Sequence, residues 1–406
     1  MSLFGFEEPE PTPVPVVPAK GKEKAPVVLD PKETEPTIPY IGHEEIELFL
    51  SKSYQEDRMP HALIFSGPKG VGKQRFARRL VEFLLSQPLL VQDLGPSLFG
   101  GETEIDTAPQ SEGERFFDVS LESAVVAQMR AGSHPDFLLL PDMETDEEEP
   151  AKAKTKTQSI SVSQIRRVSH FLRLTKSQSA YRCVIVDDAH EMTIAAQNSL
   201  LKVLEEPPAQ TVLILVTDRI GRLLPTILSR CRQFEFRAMS DEMIESAIRI
   251  VKPDLPAVQR SQILKLSKGS IGRAIDYIQK NALKDYLDLL DLLKKCDGAA
   301  DHDVLTFCER VSGKEQHEKY QLIKEFVLLW IYKLNHYVSL GQIPYQIVDA
   351  ENDFLLRMHQ YKYPQRVHDL WVRVVDLFDQ CERYTLDRKL VLQQVLLDMH
   401  HVLRQS

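Results

Sequence analysis

Seven residues, Gly67-Pro-Lys-Gly-Val-Gly-Lys73, limit this chain more than any other stretch. They follow His61-Ala-Leu-Ile-Phe-Ser66, which reads as a buried strand, and precede a segment with Phe76, Leu80, Phe83 and Leu84 on one helical face. Strand, glycine turn and helix in that order fit the spacing GxxxxGK through Gly67, Gly72 and Lys73, with Gly70 inside the turn. Glycines let backbone N–H groups curl around a phosphate, and the helix N-terminus adds its dipole. Lys73 would reach the outer phosphates. The next position of such a loop carries a Ser or Thr whose hydroxyl holds Mg²⁺. Here it is Gln74, a longer amide and a poor Mg²⁺ ligand. Two readings stay open: a loop that binds nucleotide, and one that keeps the turn and binds nothing. Efficient hydrolysis follows from neither.

The segments after the loop alternate. Phe137-Leu-Leu-Leu140, Cys183-Val-Ile-Val186, Val212-Leu-Ile-Leu-Val216 and Gln233-Phe-Glu-Phe236 read as further strands. Helical patterns over 160–174 and 193–206 lie between them. Strands alternating with helices give an α/β domain with a mainly parallel sheet and flanking helices. From Ser240 the pattern is helical to the end, with Ser270 as a helix cap. We expect a Pro-rich tail at 1–38, an α/β domain at 39–238 with irregular insertions near 91–115 and 141–158, a small helical domain at 239–282, and an all-α C-terminal domain at 283–406. The tail carries five prolines between Pro9 and Pro18 and almost no large apolar side chains, so it offers little to pack.

Charge and cysteines remove several classes. Fifty basic against 59 acidic residues give a net charge of −9, which argues against a surface coated for nucleic acid. Five scattered Cys form neither a disulfide framework nor a CxxC metal site, so no metal site is expected. No apolar run reaches the ~18 residues of a membrane span, and no secretory leader is read. A cytoplasmic, reduced protein is the expectation.

Other polar residues fall at strand ends. Asp187 and Asp188 close the strand from Cys183, where an acid beside a phosphate loop can hold Mg²⁺ through water. Asp188 is one methylene shorter than a Glu that would activate water. Thr217 ends the next strand, where a γ-phosphate sensor would lie. Arg230 closes a short helix started by Pro225, and Arg273 opens a helix in the small helical domain. Arginine suits phosphate because it is always charged and can bind through two donors.

Together with Asn198-Ser-Leu-Leu-Lys-Val-Leu-Glu-Glu-Pro-Pro208, Leu224-Pro-Thr-Ile-Leu-Ser-Arg-Cys231 and Gly269-Ser-Ile-Gly-Arg-Ala274, these residues resemble the AAA+ ATPases of the clamp-loader family of bacterial DNA polymerase III. The motifs span residues 42 to about 280; the C-terminal third matches only as a helical region. The resemblance implies an AAA+ P-loop domain, a helical lid and a helical collar that assembles the ring. It implies a hetero-oligomer with tau/gamma and delta subunits, a sliding clamp and primer-template DNA, and no membrane. It also implies that Arg230 is offered in trans to a neighbour's ATP site. ATP is the nucleotide the chain's own loop would take, with Mg²⁺ only alongside it. The family's zinc module lies just before a segment like Ala131-Gly-Ser-His-Pro-Asp136, but residues 86–135 hold no Cys, so no zinc is expected. Gln74 and Asp188 suit a structural, weakly hydrolysing member. An active motor subunit of the tau/gamma kind and an unrelated P-loop enzyme are the alternatives.

Overall fold

A computed structural model describes residues 40–88, 116–141, 159–295, 300–313, 316–357, 364–384 and 386–404. The expected tail, the insertion at 91–115 and all but the first residue of that at 141–158 lie outside these residues.

The first half is built on five parallel strands: β1 (Ala62–Ser66), β2 (Phe137–Leu140), β3 (Arg182–Val186), β4 (Thr211–Thr217) and β5 (Arg232–Glu235), in the order β2-β3-β4-β1-β5. β1, β3 and β4 are buried on both faces, which explains their unbroken apolar runs. One face is covered by α1 (Glu44–Gln55), α2 (Lys73–Ser86) and α3 (Ala124–Arg130), with Phe65, Phe76 and Leu80 in its core. The other is covered by α4 (Val162–Arg173), α5 (Ile194–Glu205) and the short α6 (Pro225–Leu228), around Ile64, Ile165 and Leu200. The α4 start is a full capping box: Gln164 N–H donates to the Ser161 hydroxyl, and Ser161 N–H to the Gln164 side chain.

A buried ion pair ties the rim of β2 to β3. Asp136, fully buried, lies 2.9 Å from Arg182 and accepts backbone N–H groups from Ser177, Gln178 and Ser179. Burial alone would push its carboxyl up; those N–H groups and Arg182 outweigh it and hold the carboxyl below its ordinary value. His134 is buried beside it, with Nδ1 accepting the Asp136 N–H at 3.1 Å.

The second half is helical: α7 (Asp241–Val251), α8 (Ala257–Ser267), α9 (Ile271–Gln279), α10 (Ala282–Lys294), α11 (Ala300–Val311), α12 (His317–Leu340), α13 (Ala350–Arg357), α14 (Pro364–Tyr384) and α15 (Arg388–Arg404). The expected division at 282/283 falls within the first turn of α10, just after the two-residue link from α9. Yet one continuous core runs from Met239 to Leu403, because α8 and α9 pack directly on α10. Phe326 and Trp330 sit at its centre. So does a charged group that the helical pattern does not reveal. Lys333 and Glu351, both fully buried, stand 2.5 Å apart, and Tyr286 donates to the same carboxylate at 2.7 Å. Burial draws the Lys333 ammonium below its ordinary value, and Glu351 opposes this. Among the described residues no helix is long and apolar enough to cross a membrane.

Candidate functional site

The parallel sheet sets several predicted residues along one rim. Ser66, which leads into the glycine loop, pairs in register with Thr217, and Val186, which precedes Asp187, pairs with Leu215. The carboxyl ends of β1, β3 and β4 therefore carry the loop, Asp187 and Thr217 side by side, the usual ligand edge of an open parallel sheet.

The loop turns as its glycines allow. Gly67, Gly70 and Gly72 have φ of 142°, 82° and 99°, a region that side chains rarely adopt. At Gly67 a Cβ would lie 2.0 Å from the Phe236 carbonyl oxygen. Lys73 begins α2 and is buried, and its ammonium donates to the Gly67 and Pro68 carbonyls, each at 2.7 Å. Burial draws that ammonium below its ordinary value, against the pull of Asp218, Asp187 and Asp188. Asp187 moves the other way: burial, then the neighbouring Asp188, raise its carboxyl. Asp188 is exposed, with a left-handed backbone, and Gln74 is exposed on the first turn of α2. Thr217 is fully buried; its hydroxyl accepts the Arg219 N–H at 3.1 Å and lies 3.4 Å from His190 Nδ1.

The helical half closes over this loop through its backbone. Gly272 N–H donates to the Gly70 carbonyl at 2.9 Å, and a Cβ on Gly272 would lie 2.8 Å from that oxygen. A Cβ on Gly70 would lie 2.3 Å from the Ser270 hydroxyl. Arg273, expected at the phosphates, has its backbone and Cγ against Gly70 of the loop, and its guanidinium lies 3.7 Å from Glu325 on α12. The reason is the shared core: α9 is packed on the C-terminal helices, and an acid there is within reach. The lysine is engaged by two loop carbonyls, Gly70 is engaged by Gly272, and the Mg²⁺ hydroxyl is replaced by Gln74.

The site's other charge stands apart, on the edge where α6 meets β5. Arg230 Nη1 donates to the Thr226 carbonyl at 3.0 Å and to the Ser229 hydroxyl at 3.3 Å, while Nη2 lies 2.8 Å from Glu205 at the end of α5. Its side chain keeps 36% of its surface exposed. Cys231 beside it is half-buried, and burial pushes its thiol up to about 12, so it is inert. The structure thus gathers the loop glycines, Lys73, Asp187 and Thr217 at one rim, leaves Gln74 and Asp188 at its exposed margin, and keeps Arg230 outside it. Sequence reasoning missed the Gly70–Gly272 contact and the role of Glu205. For the latter a signal exists: an acid in the last turn of a helix is disfavoured by the helix dipole.

Comparison with known proteins bears on these motifs. Residues 111–240 match the family described as "DNA polymerase III, delta subunit". The subunit delta' of Pseudomonas aeruginosa is 32% identical over 214 residues, 52% of this chain and 53% of the relative. The subunit delta' of Bacillus subtilis is 28% identical over 228 residues, 56% of each chain. The subunit tau of Bacillus subtilis is 25% identical over 251 residues, 62% of this chain and 36% of the relative. The chain thus spans about half the length of the delta' relatives it matches. Among solved structures, a gamma subunit-related protein of Thermotoga maritima is 18% identical with a TM-score of 0.38, covering 89% of this chain and 99% of its own.

Proposed function

We propose that this chain, a clamp-loader AAA+ family member resembling delta', works as a structural subunit of a DNA polymerase III clamp loader. In this reading it is a cytoplasmic hetero-oligomer partner of tau/gamma and delta subunits that helps place a sliding clamp on primed DNA. It does not hydrolyse ATP at its own loop, and it offers Arg230 to the nucleotide of a neighbouring subunit.

The observation that carries this reading is the contrast between the two charged groups. Lys73 is turned onto Gly67 and Pro68 beneath a lid bonded to Gly70, whereas Arg230 is half-exposed at an outer edge. A guanidinium placed there can reach a phosphate on another chain, and one supplied in trans contributes about 10³–10⁵ in rate by stabilising transition-state charge. The runner-up, an active motor subunit, is favoured by the similarity to tau, but it needs a Mg²⁺ hydroxyl where Gln74 stands.

The test is nucleotide binding by the purified full chain with ATP and Mg²⁺, followed by equilibrium dialysis. The proposal expects no saturable binding at concentrations that fill an active P-loop ATPase. Saturable binding lost in Lys73→Ala, with turnover by the isolated chain, would overturn it in favour of the motor reading.

A further inference from the structure

α5 ends in two acids, Glu205 and the cap residue Glu206. A helix C-terminus carries partial negative charge, so carboxylates there oppose the dipole. The structure shows what one of them does: Glu205 Oε1 lies 2.8 Å from Arg230 Nη2. The other contacts of that guanidinium are neutral, the Thr226 carbonyl and the Ser229 hydroxyl. Both charged side chains are accessible, 36% for Arg230 and 51% for Glu205, so water screens the pair and it holds weakly.

We propose that Glu205 is a latch on Arg230, holding the guanidinium against its own chain until the phosphate of a neighbouring subunit's nucleotide displaces the carboxylate. This rests on the trans-arginine reading of Arg230. The physical ground is competition for one nitrogen. With hydrogen bonds of about 3 Å on either side of Nη2, a carboxylate oxygen and a phosphate oxygen would lie within about 6 Å of each other. Two negative groups at that spacing repel, and each also spends the positive charge that the other needs. The phosphate therefore binds Arg230 more weakly while Glu205 holds it and more tightly once Glu205 has left. Glu205 is then a positioning residue: it raises the nucleotide concentration that engages Arg230 without entering the chemical step. Because the pair is weak, the latch opens whenever a neighbour presents its phosphate, and it keeps an uncompensated guanidinium from other anions in the meantime.

The experiment is ATPase against ATP concentration in the assembled loader, with clamp and primed DNA present. With Glu205→Gln, KM for ATP should fall about two- to fivefold, the range an exposed ion pair can supply, with kcat unchanged. The melting temperature of the chain should hold or rise, since an acid leaves a helix end. Glu205→Asp, which keeps the charge, should stay near the parent. In an Arg230→Ala background, Glu205→Gln should change nothing. A lower kcat at unchanged KM would overturn the latch by making Glu205 a support for the transition state. No change in either constant, or a KM shift that persists without Arg230, would overturn it too. The two readings fail separately: an Arg230→Ala loader with normal ATPase removes the trans arginine, whereas a large Arg230→Ala loss with no KM shift in Glu205→Gln removes only the latch.

Discussion

Two edges of the same α/β half carry the chemistry that its motifs announce, and they are held in opposite ways. At the glycine loop the contacts are buried and largely backbone: Lys73 to two carbonyls, Gly272 N–H to Gly70. At the Arg230 edge the strongest contact is one exposed ion pair to Glu205. Buried backbone hydrogen bonds are costly to break because each leaves a desolvated group behind, whereas an exposed ion pair exchanges with water or with another anion at little cost. The difference teaches which edge is built to change partners. A loop closed from within suits a subunit that holds its shape, and a loosely held guanidinium suits one that acts on a neighbour.

The largest effect that can break this contrast is at Arg230. If Arg230 acts in trans as proposed, Arg230→Ala should leave the chain's melting temperature and assembly intact and lower stimulated turnover at a neighbouring subunit's ATP site by about 10³-fold or more. Arg230→Lys should rescue little, because an ammonium lacks the planar fork. Unfolding of the chain, with normal ATPase per assembled complex, would make Arg230 structural.

Next in size is the buried pair at the opposite edge of the sheet, where β2 and β3 begin. Asp136→Asn strands Arg182 without its charge partner and should cost about 3–5 kcal/mol in denaturant unfolding. The pH dependence has a fixed sign. The folded carboxyl of Asp136 is held below its unfolded value, so its contribution is complete above the unfolded value of about 3.9 and is lost as pH falls. The variant's acid limb should be correspondingly flatter; an unchanged limb would mean that Asp136 is not the group that titrates.

Gly67→Ala forces a side chain into φ of 142° and a Cβ to within 2.0 Å of the Phe236 carbonyl oxygen. Backbone strain alone should cost about 1–3 kcal/mol, read as a lower unfolding midpoint. Wild-type stability there would mean that the loop relaxes freely, and the comparison of a fixed loop with a mobile arginine would blur.

Much of the α/β half was legible because its signals are local. β1, β3 and β4 are continuous apolar runs, and the glycine loop sits between a strand and an amphipathic helix, so residue type alone locates them. Ser270 was readable as a cap for the same reason; its hydroxyl accepts the Arg273 N–H at 3.2 Å. What was not legible joins residues far apart in sequence. Gly70 and Gly272 meet across some two hundred residues, and no periodicity reports a backbone bond of that kind. Arg273 read as a phosphate ligand because its acid partner, Glu325, lies on a helix whose position only the packed core fixes. Lys333 stands among apolar residues of α12, and nothing local to it shows that Glu351 and Tyr286 satisfy it inside the bundle. Glu205 fits its helix poorly, and that misfit was the trace left in the sequence.

The smallest effect is expected at the loop lysine. Lys73→Ala removes two buried hydrogen bonds and should cost roughly 1–3 kcal/mol of stability, seen in thermal unfolding, with little consequence for the complex's turnover. The central claim is therefore tested most directly by comparing two variants in one assay, the ATPase of the assembled loader with clamp and primed DNA. The account predicts a near-normal rate with Lys73→Ala and a collapse with Arg230→Ala. The reverse pattern, a collapse with Lys73→Ala and a normal rate with Arg230→Ala, would show that the chain turns over nucleotide at its own loop and would contradict the account.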